Sequence, residues 1–267
     1  MDLFLNGKTA VVTGASKGVG LAVARGLLAE GARVVAVSRT RTPELDRLGG
    51  DLLHVPADLM DPDAPARVIE RAVDAYGGVD VLVNNAGGPP PGVVIPRGSF
   101  LDATEEQWAP VFELNLFSAV RACRAVIPVM LGRGGGAIVN VSSVNGRAPA
   151  AMNVDYGAAK AALTNLGQAL SEEYAPQGIR VNTVSPGPVR TPWWTDDGGA
   201  ADVLAGAMGL DRDAVMDKAV PEAMRLSTGR LSDPQEVADA VLLLASPRSG
   251  STTGADFVVD SGFLKTA

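Results

Sequence analysis

The fold of this 267-residue chain is decided by one segment near its start, TAVVTGASKGVGLAVA at residues 9–24. The segment begins with a continuous run of small and β-branched apolar residues, which is typical of a strand buried on both faces. Glycines follow at Gly14, Gly18 and Gly20, and a helical pattern opens directly after them. Glycines at such a junction permit a tight turn and a close approach of the backbone to a bound group. The segment therefore predicts the first strand–helix unit of a parallel sheet.

The same alternation continues along the chain. Apolar runs that predict buried strands lie at residues 9–13, 33–38, 52–56, 79–83, 137–141, 179–184 and 256–259. Helical patterns lie near residues 18–30, 62–76, 104–131, 155–175 and 234–245. Seven strands with interleaved helices predict an α/β fold, with one domain over residues 1–267 and a doubly wound, seven-stranded parallel sheet covered by helices on both faces. Two stretches break the alternation: a proline-rich loop at 87–99, and a substrate-binding loop or lid at about 188–230.

Composition excludes several classes of protein. Apolar residues make up 46% and charged residues 20% of the chain, so a full core is expected. The formal charge of −7 and the absence of a basic stripe argue against nucleic acid as a partner. Cys123 is the only cysteine, so an internal disulfide is impossible and a buried thiol is expected. The start of the chain lacks a secretory pattern and no apolar run reaches about 18 residues, so we expect a cytoplasmic protein with no membrane segment and no metal.

The glycine segment and the end of the second strand indicate a dinucleotide site. A pyrophosphate can rest on the N-terminus of the helix that follows Gly20. Selectivity for NAD commonly comes from an acidic residue about 20 residues past the glycines. That place holds Ser38 and Arg39, and Lys17 can approach it, so we expect NADP(H) rather than NAD(H). The alternative is that Arg39 and Arg41 are solvated loop charges.

Tyr156 and Lys160 stand four residues apart in a predicted helix, which places them on one face. An ammonium about 4 Å from a phenolate contributes roughly 4 kcal/mol at an effective dielectric of about 20. This corresponds to about three pKa units and would bring the phenol pKa near neutral pH. The alternative is an ordinary surface pair.

Several further motifs stand in a fixed order along nearly the whole chain. They are Thr13–Gly20 with the spacing Gly-x-x-x-Gly-x-Gly, Asn84-Asn85-Ala86-Gly87, Asn115, Ser143, Tyr156-x-x-x-Lys160, and Pro186-Gly187 with Thr191. With these motifs the chain resembles the short-chain dehydrogenase/reductase family, and within it the reductases of carrier-protein-bound 3-oxoacyl groups. The resemblance implies a Rossmann fold.

The resemblance also implies a catalytic group. Tyr156 would exchange a proton with the substrate oxygen, Ser143 would hydrogen-bond that oxygen, and Lys160 would bind the nicotinamide ribose and lower the tyrosine pKa. Asn115 would hold a water, although it could instead bond its own helix backbone. The predicted cofactor contacts are Gly14, Ser16, Lys17, Gly18, Val19, Gly20, Ser38, Arg39, Asp58, Leu59, Asn85, Ala86, Gly87, Tyr156, Lys160, Pro186, Gly187, Val189 and Thr191. His54, in the third strand, is expected to have a packing role.

The substrate and the assembly are predicted from two segments. The lid carries Trp193, Trp194 and three methionines, which could line a pocket for a bulky apolar ketone or simply pack the lid. The predicted substrate contacts are Ser143, Tyr156, Trp193 and Trp194. A carrier-bound 3-oxoacyl substrate stays possible, although no basic cluster favours an acidic carrier protein. Helix 155–175 has small or apolar residues over most of its circumference, and relatives commonly assemble through it, so we expect a homotetramer rather than a dimer.

Three functions are compatible with this fold. The leading prediction is an NADP(H)-dependent oxidoreductase that interconverts a ketone and a secondary alcohol. A non-catalytic nucleotide-binding regulator or scaffold is the alternative, although such relatives usually lack the Tyr or the Lys. Sugar-nucleotide epimerases or dehydratases use a Gly-x-x-Gly-x-x-Gly spacing and a larger C-terminal domain, and this chain has neither.

Overall fold

The computed structural model describes residues 1–91, 93, 97 and 99–265. Its centre is a seven-stranded, all-parallel sheet with the order β3-β2-β1-β4-β5-β6-β7. The strands are β1 (Thr9–Thr13), β2 (Arg33–Ser38), β3 (Leu52–Pro56), β4 (Val81–Asn84), β5 (Gly136–Val141), β6 (Ile179–Pro186) and β7 (Asp256–Val259). The predicted doubly wound sheet is confirmed. The strand order reverses between β1 and β4, and ligands of such sheets bind in the crevice at that point.

Helices cover both faces of the sheet. They are α1 (Gly18–Ala29), α2 (Pro43–Asp46), α3 (Ala64–Tyr76), α4 (Glu105–Phe112), α5 (Ser118–Gly132), α6 (Val154–Tyr174), α7 (Pro192–Thr195), α8 (Ala200–Met208), α9 (Arg212–Ala214), α10 (Val220–Ala223) and α11 (Pro234–Ala245). Ala10 and Val12 of β1 belong to the core that includes α1 and α11, whereas Val11 belongs to the core that includes α3 and α5. Side chains that alternate between two apolar layers explain why the strand has no polar positions.

The predicted helix at 104–131 is not continuous. A π-helical turn, Glu113–Phe117, separates α4 from α5. By length and composition, Glu105–Gly132 could cross a membrane, but 44% of its apolar window is buried in the fold. Cys123, Val126 and Met130 of α5 pack in the core between sheet and helices, so this is a core helix.

The lid at about 188–230 contains helices α7–α10 and has an apolar cluster of its own. The cluster contains Trp194, Ala200, Ala201, Val215, Met216, Val220, Leu226 and Leu231. This cluster explains how so long a connection holds a defined shape without a strand.

Of the predicted loop at 87–99, residues 92, 94–96 and 98 lie outside the described residues, as do residues 266 and 267 of the predicted domain.

Candidate active site

The glycine turn lies between β1 and α1 at the carboxyl edge of the sheet. Gly14 and Gly18 adopt positive φ angles of 66° and 58°, a region that favours glycine. A Cβ on Gly20 would lie 2.2 Å from the Gly14 carbonyl oxygen, so a side chain cannot fit there. Asn85 secures the turn from β4, because its side-chain amide donates to the Thr13 carbonyl at 2.8 Å. The first backbone N–H groups of α1, which have no intrahelical acceptor, stand ready for an anionic group.

The adjacent end of β2 carries the residues predicted to select the cofactor. Ser38 is buried, and its hydroxyl lies 2.9 Å from the Thr40 carbonyl and 3.0 Å from His54 Nε2. His54 therefore packs beside a predicted cofactor residue, and burial, aided by the charge of Arg41, lowers its pKa. Arg39 is exposed, whereas Arg41 is bound to Asp46. No acidic side chain occupies the predicted 2′-phosphate position at the end of β2.

Lys17 extends toward the lid and not toward Arg39. Its ammonium lies 3.3 Å from Asp196, directly after α7, and both side chains are exposed. Thr191 also reaches the glycine turn, because its Cγ2 lies 3.4 Å from the Cβ position of Gly18. The lid and the glycine turn are therefore neighbours.

The remaining predicted cofactor residues also lie at the carboxyl edge. Asp58 is exposed and Leu59 is buried, directly after β3. Pro186 ends β6, and Gly187 follows so close to β7 that an added Cβ would lie 2.7 Å from Asp260 Cα. Val189 is buried and forms an isolated parallel bridge with Ser232.

Ser143, Tyr156 and Lys160 converge where β5 ends and α6 begins. Ser143 lies within hydrogen-bonding reach of the Tyr156 phenol, whereas Ser142 bonds the Lys160 carbonyl at 2.9 Å. Neighbouring residues of an extended chain point to opposite faces, which separates the two serines. Lys160 is buried, lies with its ammonium 5.7 Å from the centroid of the Tyr156 ring, and donates to the Val141 carbonyl at 2.9 Å.

The predicted lowering of the Tyr156 pKa by Lys160 is not found. Burial raises the pKa of Tyr156, and the Ser143 hydroxyl opposes this rise only in part. Burial also lowers the pKa of Lys160 to about 8, because an ammonium is poorly solvated there. The ammonium faces the Val141 carbonyl and the ring centroid instead of bonding the phenol oxygen, which explains why it does not acidify the phenol.

Asn115 lies in the π-helical turn and is almost fully buried. Its side-chain oxygen accepts from the Gly88 N–H at 2.8 Å, and its amide donates to the Gly88 and Val111 carbonyls, each at 2.9 Å. Asn115 therefore bonds its own helix, as the second of the two sequence-based alternatives has it, and it also bonds the loop beside Lys160. A Cβ on Gly87 would lie 2.8 Å from Asn115 Oδ1 and 2.9 Å from Lys160 Nζ, so these groups are close neighbours. Single π turns inside α-helices occur frequently at functional sites.

The lid residues predicted to contact substrate have different surroundings. Trp194 is 5% exposed and packs inside the lid cluster, so its indole does not line an open pocket. Trp193 is 38% exposed and meets the Trp194 ring edge-on at 4.8 Å between centroids. Met216 is buried in the same cluster and Met208 is exposed.

Sequence reasoning missed a buried ion pair beside Tyr156. Arg97, at the end of the loop after β4, binds Asp155, and these side chains are 8% and 1% exposed. The Arg97 N–H also donates to the side-chain oxygen of Asn153, just before α6, and the Asn153 N–H donates to the Arg97 carbonyl. The partners are 58 residues apart, and no local pattern joins them.

Comparisons with known proteins agree with this geometry. The family described as short chain dehydrogenase matches residues 8–199. The chain is 34% identical to 3-oxoacyl-(acyl-carrier-protein) reductase FabG of Vibrio cholerae, over 97% of this chain and 98% of that protein. It is 37% identical to L-xylulose reductase of Bos taurus over the full length of both. The structure of L-sorbose reductase from Gluconobacter frateurii, complexed with NADPH and L-sorbose, superposes with a TM-score of 0.90 at 33% identity over 100% of both chains. The chain therefore belongs to the short-chain dehydrogenase/reductase family of NAD(P)-dependent oxidoreductases, which act on carbonyl and alcohol substrates.

Proposed function

We propose that this protein is an NADP(H)-dependent oxidoreductase that interconverts a ketone and a secondary alcohol, with Tyr156 as proton donor and acceptor. One observation carries the proposal: Ser143, Tyr156 and Lys160 meet at the carboxyl edge of the sheet, on the same edge as the glycine turn. Ligands of doubly wound sheets bind at this edge. A non-catalytic nucleotide-binding protein would have no need for a buried lysine beside a half-buried tyrosine.

Each of the four predicted catalytic residues would have a distinct chemical role. The nicotinamide, when bound, would supply or accept the hydride. Ser143 would hold the carbonyl oxygen in place while the Tyr156 hydroxyl gives it a proton. The ammonium of Lys160 would bind the nicotinamide ribose and would stabilise the phenolate that remains. Asn115 would fix the Gly87–Gly88 loop beside that ammonium.

The preference for NADP(H) is supported by the end of β2. Arg39 is exposed there, and its guanidinium can form charge-assisted bonds with a 2′-phosphate. Asp58 and Leu59, after β3, would contact the adenine, and Pro186 to Thr191 the nicotinamide. The similar L-sorbose reductase was solved with NADPH, which agrees with this choice.

Substitution of Tyr156 tests the proposal. Tyr156→Phe should lower kcat for NADPH-dependent ketone reduction by at least about a hundredfold, because general acid catalysis contributes about that much or more. The Kd of NADPH, measured by fluorescence titration, should change less than about threefold. Tyr174→Phe, at the far end of the same helix, is the matched control and should retain full activity. Retained turnover in Tyr156→Phe would eliminate the acid–base role.

We also propose a cytoplasmic homotetramer. The outward side of α6 carries small exposed residues, including Ala161 and Ala169, which admit close packing of a second helix. Phe117, at the end of the π-helical turn, and Leu131 of α5 are 44% and 37% exposed. In the proposed tetramer a second copy of the chain would cover such exposed apolar side chains.

The expectation of an apolar substrate loses much of its support. It rested on aromatic and methionine residues of the lid, and Trp194 and Met216 are used to pack the lid itself. Trp193 is left as the lid aromatic that a substrate could contact. The polarity of the substrate must therefore be inferred from other groups near Tyr156.

A further inference from the structure

His54 is the only histidine of the chain and lies in β3, beside the end of β2. In the parallel register it stands opposite Ala36, so its side chain lies on the same face of the sheet as that of Ser38, two residues further along β2. Its Nε2 lies 3.0 Å from the Ser38 hydroxyl oxygen. The imidazole therefore reaches the point at which β2 ends and the residues proposed to select the cofactor begin.

The direction of this hydrogen bond follows from the groups around Ser38. The Ser38 hydroxyl has one hydrogen and also lies 2.9 Å from the Thr40 carbonyl, which can only accept. Both contacts are satisfied when the hydroxyl donates to Thr40 and His54 Nε2–H donates to the hydroxyl. Burial, aided by the charge of Arg41, lowers the pKa of His54, so at neutral pH the ring is uncharged and acts only through its hydrogen bond.

These hydrogen bonds hold the turn that carries Arg39. Ser38 and Thr40 stand on either side of Arg39, and the bond from the Ser38 hydroxyl joins them. Further along the same segment, Thr42 Oγ1 donates to the Ser16 carbonyl at 2.8 Å. The segment 38–42 is therefore fixed to β3 at one end and to the glycine turn at the other.

A fixed turn matters because of what Arg39 is proposed to bind. Arg39 is exposed, whereas Arg41 is bound to Asp46, so Arg39 is the better placed of the two to meet a 2′-phosphate. A guanidinium binds a phosphate best through two parallel N–H bonds, which need a defined orientation. Ordering a loose segment at the moment of binding would cost affinity, and a segment that is already held avoids this cost.

We infer that His54 is a positioning residue for cofactor selection: by donating to Ser38 it holds the turn from which Arg39 would bind the 2′-phosphate of NADP(H). The inference rests on the proposed function and deepens it, because it assigns part of the preference for NADP(H) to a residue that does not touch the cofactor. NADH has a hydroxyl in place of that phosphate, so its affinity does not depend on the turn in the same way.

Substitutions of His54 test the inference through cofactor binding alone, measured by titration calorimetry without substrate. His54→Leu removes the donor, and His54→Gln supplies a side-chain N–H at a similar distance from the backbone. The Kd of NADPH should rise about three- to tenfold in His54→Leu, because one hydrogen bond between neutral groups is lost. The Kd of NADH should change less than about twofold. In His54→Gln the Kd of NADPH should lie within about twofold of that of the unmodified protein.

A double-variant cycle with Arg39→Ala separates positioning from a general structural role. If His54 acts through Arg39, adding His54→Leu to Arg39→Ala should change the Kd of NADPH less than about twofold further. His54→Phe keeps an aromatic ring without the donor, should behave as His54→Leu does, and replaces it in the cycle if His54→Leu does not fold. A loss of threefold or more that persists without the Arg39 guanidinium would overturn the inference. A His54→Gln protein that binds NADPH as weakly as His54→Leu would also overturn it.

Failure of the inference and failure of the proposed function give different results. An unchanged Kd of NADPH in His54→Leu, or equal losses of affinity for NADPH and NADH, would overturn the inference and leave the proposed function intact. An unmodified protein that binds NADH at least as tightly as NADPH would contradict the proposed cofactor preference, and the inference would fall with it. The Tyr156→Phe comparison judges the proposed carbonyl chemistry separately.

Discussion

At the scale of the residue, the ionisation of Lys160 links the site to stability. Burial lowers its pKa from 10.5 in the unfolded chain to about 8. Between these values the unfolded state binds more protons than the folded state, so the free energy of unfolding rises with pH. The shift corresponds to about 3 kcal/mol at about 1.36 kcal/mol per unit. Below pH 8 the folded protein carries the full cost of a buried ammonium.

Urea unfolding of the Lys160→Met variant from pH 7 to 10.5 measures this effect. The unmodified protein should gain up to about 3 kcal/mol relative to Lys160→Met as pH rises from 8 to 10.5. Lys218→Met, which removes an exposed lysine of the lid, is the control. Its free energy of unfolding should change with pH as that of the unmodified protein does. A constant difference between Lys160→Met and the unmodified protein would contradict the lowered pKa.

Arg39 provides the second prediction at this scale. Arg39→Ala should raise the Kd of NADPH about tenfold or more, because a charge-assisted contact with the 2′-phosphate is lost. The Kd of NADH should change less than about twofold. Arg41→Ala is the matched control, because Arg41 is bound to Asp46. Titration calorimetry measures the Kd of NADPH and the Kd of NADH for each variant. Equal losses of affinity for NADPH and NADH in Arg39→Ala would rule out phosphate recognition by Arg39.

The sequence predicts the placement of Tyr156 and Lys160 better than their ionisation. The spacing of Tyr156 and Lys160 in a helix indicates correctly that they share a face, because helix geometry is local. Whether the ammonium bonds the phenol depends on a competing acceptor, the Val141 carbonyl, that comes from a different strand. The Arg97–Asp155 pair is likewise formed only by tertiary folding, so residue spacing gives no sign of it.

At the scale of the element, the junction of β1 and α1 tolerates no side chain at Gly20. Gly20→Ala would place a Cβ 2.2 Å from the Gly14 carbonyl oxygen and 2.5 Å from Asn85 Nδ2. Because a backbone atom is involved, the turn must shift, so we expect a loss of about 1–3 kcal/mol in the free energy of unfolding and weakened NADPH binding.

Gly206→Ala is the matched control for this prediction. Gly206 is exposed in α8, and a Cβ there meets no atom within 4 Å. Alanine in a helix interior is favoured over glycine by about 0.5–1 kcal/mol, so this variant should be more stable than the unmodified protein. Urea unfolding compares the two variants. A free energy of unfolding for Gly20→Ala equal to that of the unmodified protein would show that the turn can relax.

Elements with strong local signals are predicted closely. Strands Thr9–Thr13, Arg33–Ser38 and Leu52–Pro56 have the predicted bounds, as does α11, which begins at Pro234 and ends at Ala245. The short helices α2, α7, α9 and α10 lack a long periodic pattern, and the lid cluster, to which α7 and α10 contribute, is tertiary. The π-helical turn could not be predicted, because residues 104–131 have an ordinary helical pattern.

At the scale of the whole molecule, assembly is the property to measure. Light scattering should give a mass about four times the 27.4 kDa of one chain. Ala161→Arg combined with Phe117→Arg should reduce that mass, because Ala161 on α6 and Phe117 at the end of the π-helical turn are both exposed and small or apolar. Glu70→Arg, on the exposed side of α3, is the control and should leave it unchanged. A monomeric mass for the unmodified protein would contradict the tetramer.

The wide turn at Glu113–Phe117 has a consequence for variants of different length. Such a turn accommodates one additional residue while the helical segments on both sides keep their buried faces. Deleting one residue there would restore ordinary α-helical spacing and leave α4 and α5 packed as before. The side chain of Asn115 would then no longer point at Gly88. At present it bonds both the N–H and the carbonyl of Gly88. We therefore expect the shortened chain to fold but to lose the proposed catalytic activity.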